Sequence, residues 1–155
     1  MRSLLGRIAL CVAAGATMLA CSQGSDDVQI FQADLSGANE VPARATAATG
    51  TSQITIDGDR VFFVVEVHDI QAVSLSHIHI APAGSNGPVR VNFFLGPVTG
   101  PLNGILAQGS FTANDVIAIS YDQLLSEIRA GNAYVNVHSP TFPGGEVRGQ
   151  LRAVN

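Results

Sequence analysis

From about residue 28 onward, apolar and polar positions alternate in short runs, and Gly, Pro, Asn and Asp punctuate them. Period-2 alternation of β-branched and aromatic residues between such breakers predicts antiparallel strands. About eight are expected: Gln29 to Ser36, Gly50 to Ile56, Arg60 to His68, Ser74 to Ile80, Val89 to Leu95, Ile105 to Phe111, Ala133 to His138 and Glu146 to Ala153. Asp57-Gly58-Asp59 predicts a tight hairpin between the second and third, because Asp-Gly accepts the positive φ of such turns. One helix interrupts the sheet. Ser120 caps it, Gln123 three residues later completes a capping box, Leu124, Leu125 and Ile128 form an apolar stripe, and Gly131 ends it. A single helix before the penultimate strand is a lid or crossover, so the expected fold class is all-β, a sandwich or barrel. The stretch Ala43 to Thr49 reads as a loop.

The first twenty residues follow a different pattern. They carry Arg2 and Arg7, no acid, and an uncharged run from Ile8 to Leu19. This is the n-region and h-region of a secretory signal, and the run is shorter than the roughly 20 residues a membrane-spanning helix needs. It ends in Met18-Leu19-Ala20-Cys21-Ser22, which resembles the lipobox of bacterial lipoproteins and implies acylation of Cys21. Ordinary signal cleavage leaving a free thiol is the alternative. The cysteine count speaks against it: Cys11 lies in the signal, so the mature chain holds Cys21 alone and no internal disulfide can form. Ser22 to Val28 is small, polar and acidic, a flexible tether between lipid and domain. The expected organisation is a signal at 1–20, a lipidated tether at 21–28 and one domain at 29–155. Ser22 after the cysteine is compatible with the outer membrane of a Gram-negative cell, the lipid facing either the periplasm or the cell surface.

Charge narrows the partners. Of the eight basic residues, all arginine, six remain after the signal, against twelve acids, a formal charge of −6. Such a domain does not suit nucleic acid. With no lysine and no basic patch, acyl chains must do the anchoring. At 155 residues the chain has room for one core.

Three of the four histidines fall in two short motifs, Ser76-His77-Ile78-His79-Ile80 and Tyr134-Val135-Asn136-Val137-His138. On a strand alternate residues share a face, so His77 and His79 project together, opposite Ile78 and Ile80. The same parity puts Tyr134, Asn136 and His138 opposite Val135 and Val137. All three histidines are thereby expected on the outward face of neighbouring strands, contributing little to the core. Two imidazoles on one strand and a third on another suit zinc or copper. The competing reading has these imidazoles hydrogen-bonding loop carbonyls and holding the turns at Pro82 to Pro88 and Pro140 to Gly145. His68, beside Asp69, reads as a strand-end residue.

The loops after the two motifs, Ala83-Gly84-Ser85-Asn86-Gly87-Pro88 and Pro140-Thr141-Phe142-Pro143-Gly144-Gly145-Glu146, turn sharply. Asn86-Gly87 and Gly144-Gly145 are expected to supply positive-φ positions. Neither is a phosphate loop, since no Lys followed by Ser or Thr opens a helix there. Glu146 and Arg148 share a strand face and are expected to form a charge pair or bond to the turn. No second acid is spaced for a carboxylate pair, and no Gly-x-Ser-x-Gly elbow is present, so no catalytic residue is assigned.

His77-Ile78-His79, Gly84, Asn86-Gly87-Pro88-Val89, Gly131 through His138, Gly144-Gly145-Glu146 and Arg148-Gly149-Gln150 together resemble the CHRD domain, named from chordin and widespread in bacterial secreted proteins. The opening segment Leu35-Ser36-Gly37-Ala38-Asn39-Glu40-Val41-Pro42 fits as well, and the resemblance spans Phe31 to Leu151. It implies an immunoglobulin-like or superoxide-dismutase-like sandwich. It implies no activity, and nothing in the chain supports carrying over chordin's growth-factor binding. Two readings of function follow. One is a lipid-tethered, non-enzymatic binding or structural module of the cell envelope, with a protein partner or a metal as ligand, since 6% aromatics and no Trp make a poor glycan platform. The other is a copper- or zinc-dependent redox protein resembling superoxide dismutase, short of imidazoles for that role.

Overall fold

The computed structural model describes residues 28–154. The expected signal, Cys21 and most of the tether lie outside the described residues. The elements are β1 (Gln29–Ser36), β2 (Thr49–Asp57), β3 (Arg60–Ile80), β4 (Val89–Phe111), α1 (Tyr121–Arg129), β5 (Ala133–His138), β6 (Val147–Gln150) and β7 (Arg152–Ala153). No helix among them is long and apolar enough to cross a membrane.

The fold is all-β with one short helix. Hydrogen bonding runs through a single sheet in the order β2-β1-β6-β5-β3-β4, with β7 on β1, and β2 also pairs β3, which closes the sheet into a barrel. Closure depends on the length of β3. Its first half, Arg60 to His68, pairs β2, its last residues, Leu75 to Ile80, pair β5, and β4 lies along its other edge.

Strand boundaries differ from the alternation pattern in three places. The two expected strands Arg60 to His68 and Ser74 to Ile80 are one strand, because Asp69 adopts φ 55° and the register with β4 shifts between Val67 and Ile70. A bulge bends a strand without ending it. Val89 to Leu95 and Ile105 to Phe111 likewise join into β4. The Gly and Pro residues between them stay in the strand because β4 pairs only β3, and an edge position tolerates prolines. Conversely, the expected last strand divides at Leu151 into β6 on β5 and β7 on β1.

The core sits inside the barrel. β1 sends in Phe31, Ala33 and Leu35, β2 sends in Ile54 and Ile56, and β3 sends in Val61, Phe63, Val65 and Val67. Phe63 stacks on Phe93 of β4 with ring centroids 4.1 Å apart. The helix adds Leu124, Leu125 and Ile128 to the same cluster. Its capping box forms as the sequence indicates: Ser120 Oγ accepts from Gln123 N–H at 3.1 Å and Gln123 Oε1 accepts from Ser120 N–H at 3.0 Å. Gly131, φ 74°, follows its last turn, and Gly58, φ 57°, makes the β2–β3 hairpin.

All six residues of β5 are buried. Ala133, Val135 and Val137 face the core, as parity requires. Tyr134, Asn136 and His138 face the other way, yet lie under the loops between β1 and β2, β3 and β4, and β5 and β6. The expectation of outward, weakly contributing histidines therefore holds for direction and fails for exposure: His77, His79 and His138 are 6%, 8% and 7% exposed. Strand parity assigns a face, and only the tertiary cover decides whether that face meets water.

Candidate metal centre

The cluster is built where the end of β3 runs beside β5. In that antiparallel register His79 stands opposite Tyr134, His77 opposite Asn136, and Leu75 opposite His138. His138 is thus the diagonal neighbour of His77, within reach of a long planar side chain. The ring centroids of His77 and His138 are 4.9 Å apart, those of His77 and His79 5.5 Å, and those of His79 and His138 6.0 Å. One ligating nitrogen from each ring lies within 4.8 Å of the other two.

Two backbone carbonyls set the protonation of this group. His79 Nδ1 lies 2.9 Å from the Gly87 oxygen, and His138 Nδ1 lies 3.0 Å from the Pro143 oxygen. A carbonyl only accepts, so each Nδ1 carries the hydrogen and each Nε2 keeps its lone pair. His138 Nε2 then accepts from His77 Nδ1 at 3.1 Å. His79 Nε2 is buried and has no hydrogen-bond partner. The carbonyl bonds of the turn-holding reading are present, and they leave the lone pair of each ring on Nε2, the atom through which a metal could be held.

Electrostatics keep the rings neutral. Burial lowers the pKa of His77 to about 4, with the neighbouring His138 and His79 adding to the effect. His79 and His138 are also lowered, mainly by burial, and the carbonyl bonds oppose this only in part. Neutral imidazole is the form that binds metal.

The residues around the histidines brace the loops. Tyr134 stacks on His79 with centroids 4.9 Å apart and planes 9° from parallel, and the Arg148 guanidinium lies 4.5 Å from the Tyr134 ring on β5's neighbour β6. Arg148 donates to the carbonyl oxygens of Asn39 (2.7 Å) and Ser85 (3.2 Å) and to Asn86 Oδ1 (2.9 Å). Asn86 Nδ2 in turn donates to the Val41 carbonyl at 2.8 Å, and Gly87 N–H donates to the Tyr134 hydroxyl at 3.1 Å. Of the two expected arrangements of Glu146 and Arg148, the charge pair does not form, and Arg148 bonds to the turn at Ser85 and Asn86. The loop carbonyls engage Arg148, and Glu146 Oε1 accepts instead from Thr46 Oγ1 at 2.7 Å.

Glu40 was not assigned a role from sequence, although Asn39-Glu40-Val41-Pro42 carries part of the family resemblance. It is 5% exposed, beside Asn136, and burial pushes its carboxyl pKa up against the pull of Arg148 and Arg44. An acid in a polar loop gives no local sign that the loop will fold over a sheet.

The glycines divide differently from expectation. Gly145 has φ 122°, and Gly131 and Gly84 are also positive, whereas Gly87 and Gly144 are not. Gly87 is required for another reason: a Cβ there would collide with the Ile80 carbonyl oxygen. Gly144 has room, the nearest atom to an added Cβ being Arg44 Nη2 at 3.6 Å. His68 stays apart from the cluster, half-exposed and 3.4 Å from Glu66. A polar cleft of about 610 Å³, lined by Gln32, Asp34, Asn39, Arg148, Gln150 and Arg152 among others, has no histidine in its wall.

No curated protein and no solved structure matches the chain. The CHRD domain family model matches residues 31–151, which contain β2 to β6, all of β1 but its first two residues, all three clustered histidines, and the Arg148 that ties their loops. The chain belongs to the CHRD domain family.

Proposed function

We propose that this chain is a non-enzymatic CHRD module, tethered to the cell envelope through Cys21, that holds a copper or zinc ion between His77, His79 and His138. The observation that carries the metal reading is His79 Nε2, a lone pair buried without a partner while Nδ1 of the same ring is fixed by the Gly87 carbonyl. An unsatisfied buried acceptor costs on the order of 1–3 kcal/mol, and a metal bond at that atom would offset it. Two nitrogens each about 2 Å from one tetrahedral ion stand about 3.4 Å apart, close to the 3.1 Å between His77 Nδ1 and His138 Nε2, and His77 Nδ1 would ligate once its hydrogen moves to Nε2 of the same ring.

The tether and envelope location rest on the leader and the Met18 to Ser22 motif, and an envelope protein partner on the braced loops around the site. The sandwich description, immunoglobulin-like or superoxide-dismutase-like, rests on the family resemblance and on the opposed sides of the closed sheet. The redox alternative lacks support in the site: His68, the one further imidazole, lies outside it.

Elemental analysis of the purified protein, with a dismutase assay on the same sample, tests the reading. One equivalent of metal without turnover is expected, reduced to background in His79→Gln. Gln is preferable to Ala because the ring is buried and its removal would leave a cavity. A metal content unchanged in the variant overturns the assignment of the site, and dismutase turnover overturns the non-enzymatic part.

A further inference from the structure

Resting on that metal reading, the donor set and its surroundings narrow the ion further. Among the described residues, the ligating side chains gathered within 4.8 Å are three histidines, with no carboxylate or thiolate among them. All three are buried. The nearest fixed charge in the stack above His79 is positive: Tyr134 lies on the imidazole at 4.9 Å, and the Arg148 guanidinium lies 4.5 Å from the far ring's centroid. Arg148 is itself 3% exposed, so water screens it little.

The charge of an ion placed here is therefore not neutralised by its ligands, and Arg148 adds to it, while the buried Glu40 that faces Arg148 is held toward its neutral form by burial. The cost of desolvating an ion grows with the square of its charge, so a divalent ion pays about four times what a monovalent ion of similar size pays. Coordination number points the same way. Zinc sites are almost always four-coordinate, with an outside molecule filling the place that the protein leaves. Cu(I) has the same filled d shell as Zn(II) but half its charge, so it draws in fewer donors and accepts three nitrogens.

We propose that the His77, His79, His138 cluster selects Cu(I) over both Cu(II) and Zn(II). A nitrogen site without this charge environment follows the usual divalent order, with Cu(II) above Zn(II) and bound firmly. Here Cu(I) binds most tightly, and each divalent ion binds at least about tenfold more weakly.

The test is competition on protein expressed from the full-length chain. Cu(I) is titrated without oxygen against bicinchoninate, and Cu(II) and Zn(II) are titrated separately against chromophoric chelators of known affinity. One equivalent of Cu(I), tighter than both divalent ions, is expected. X-ray absorption of the Cu(I) form of the unmutated protein, independent of any variant's folding, should show three imidazole nitrogens and no sulfur. Cu(II) or Zn(II) binding as tight as Cu(I) overturns the selection and leaves the metal reading standing. Absence of stoichiometric binding by any of the three overturns both.

Discussion

The carbonyl oxygen of Gly87 stands 2.9 Å from Nδ1 of His79, so a turn in one loop decides which nitrogen of a buried imidazole carries hydrogen. Loop and imidazole are one unit. Gly87→Ala should break it, since the added Cβ collides with the Ile80 carbonyl and lies 2.9 Å from Ala81 Cβ. With the carbonyl displaced, metal affinity should fall roughly 10- to 100-fold, the usual cost of losing an outer partner of a ligand. Chelator competition on the variant reads this directly, and an unchanged affinity would show that the turn does not orient the ring.

Gly145→Ala should destabilise the domain by on the order of 2 kcal/mol or more. Its φ of 122° is unfavourable for any other residue, and a Cβ would sit 2.6 Å from Glu40 Oε1 and 2.7 Å from the Asn136 amide. Gly144→Ala, with ordinary φ and open space, is the internal control and should melt like the parent. Equal melting temperatures for all three proteins would refute the close-approach argument.

Stability of the metal-free domain should depend on acid. His77 is near 6.5 when unfolded and about 4 when folded, so between those values the unfolded chain binds more protons than the native one. The stabilisation is complete above about pH 6.5 and is lost as pH falls toward 4. The lowered values of His79 and His138 act in the same direction. Denaturant melts should lose on the order of 2 kcal/mol across that window from the histidines. The loss should shrink in His77→Gln. The same shifts let the neutral ligands persist below 6.5, so proton competition with a metal should set in at lower pH than for free histidine.

Cys21→Ser should abolish incorporation of labelled palmitate and release the chain from the membrane fraction, because no lysine-rich surface stands in for the acyl chains. A variant that still labels and fractionates with membranes would remove the lipoprotein reading.

Much of the fold is legible along the chain because the information is local. Strand faces follow from period-2 alternation, the hairpin from Asp57-Gly58, and the helix from Ser120, Gln123 and the Leu124, Leu125, Ile128 stripe. The family is legible too, since its motifs lie at His77 to Val89 and at Gly131 to Gln150. Parity alone puts His77, His79 and His138 on one side of the sheet, and their convergence then needs only that β3 and β5 be neighbours.

What the chain does not announce depends on contacts distant in sequence. Asp69 bends β3 instead of ending it because hydrogen bonds to β4 continue across the bulge. Arg148 engages Asn39, Ser85 and Asn86 in place of Glu146, because the β1–β2 and β3–β4 loops meet above β5 and present oxygens to its guanidinium. Glu40 is buried by the same meeting. Sequence determined the residue types at the site and the face they occupy. Tertiary structure decided that this face is covered, which nitrogens keep their lone pairs, and that Arg148 stands over the ring beside His79, because burial and hydrogen-bond partners are properties of the assembled loops and of no single segment.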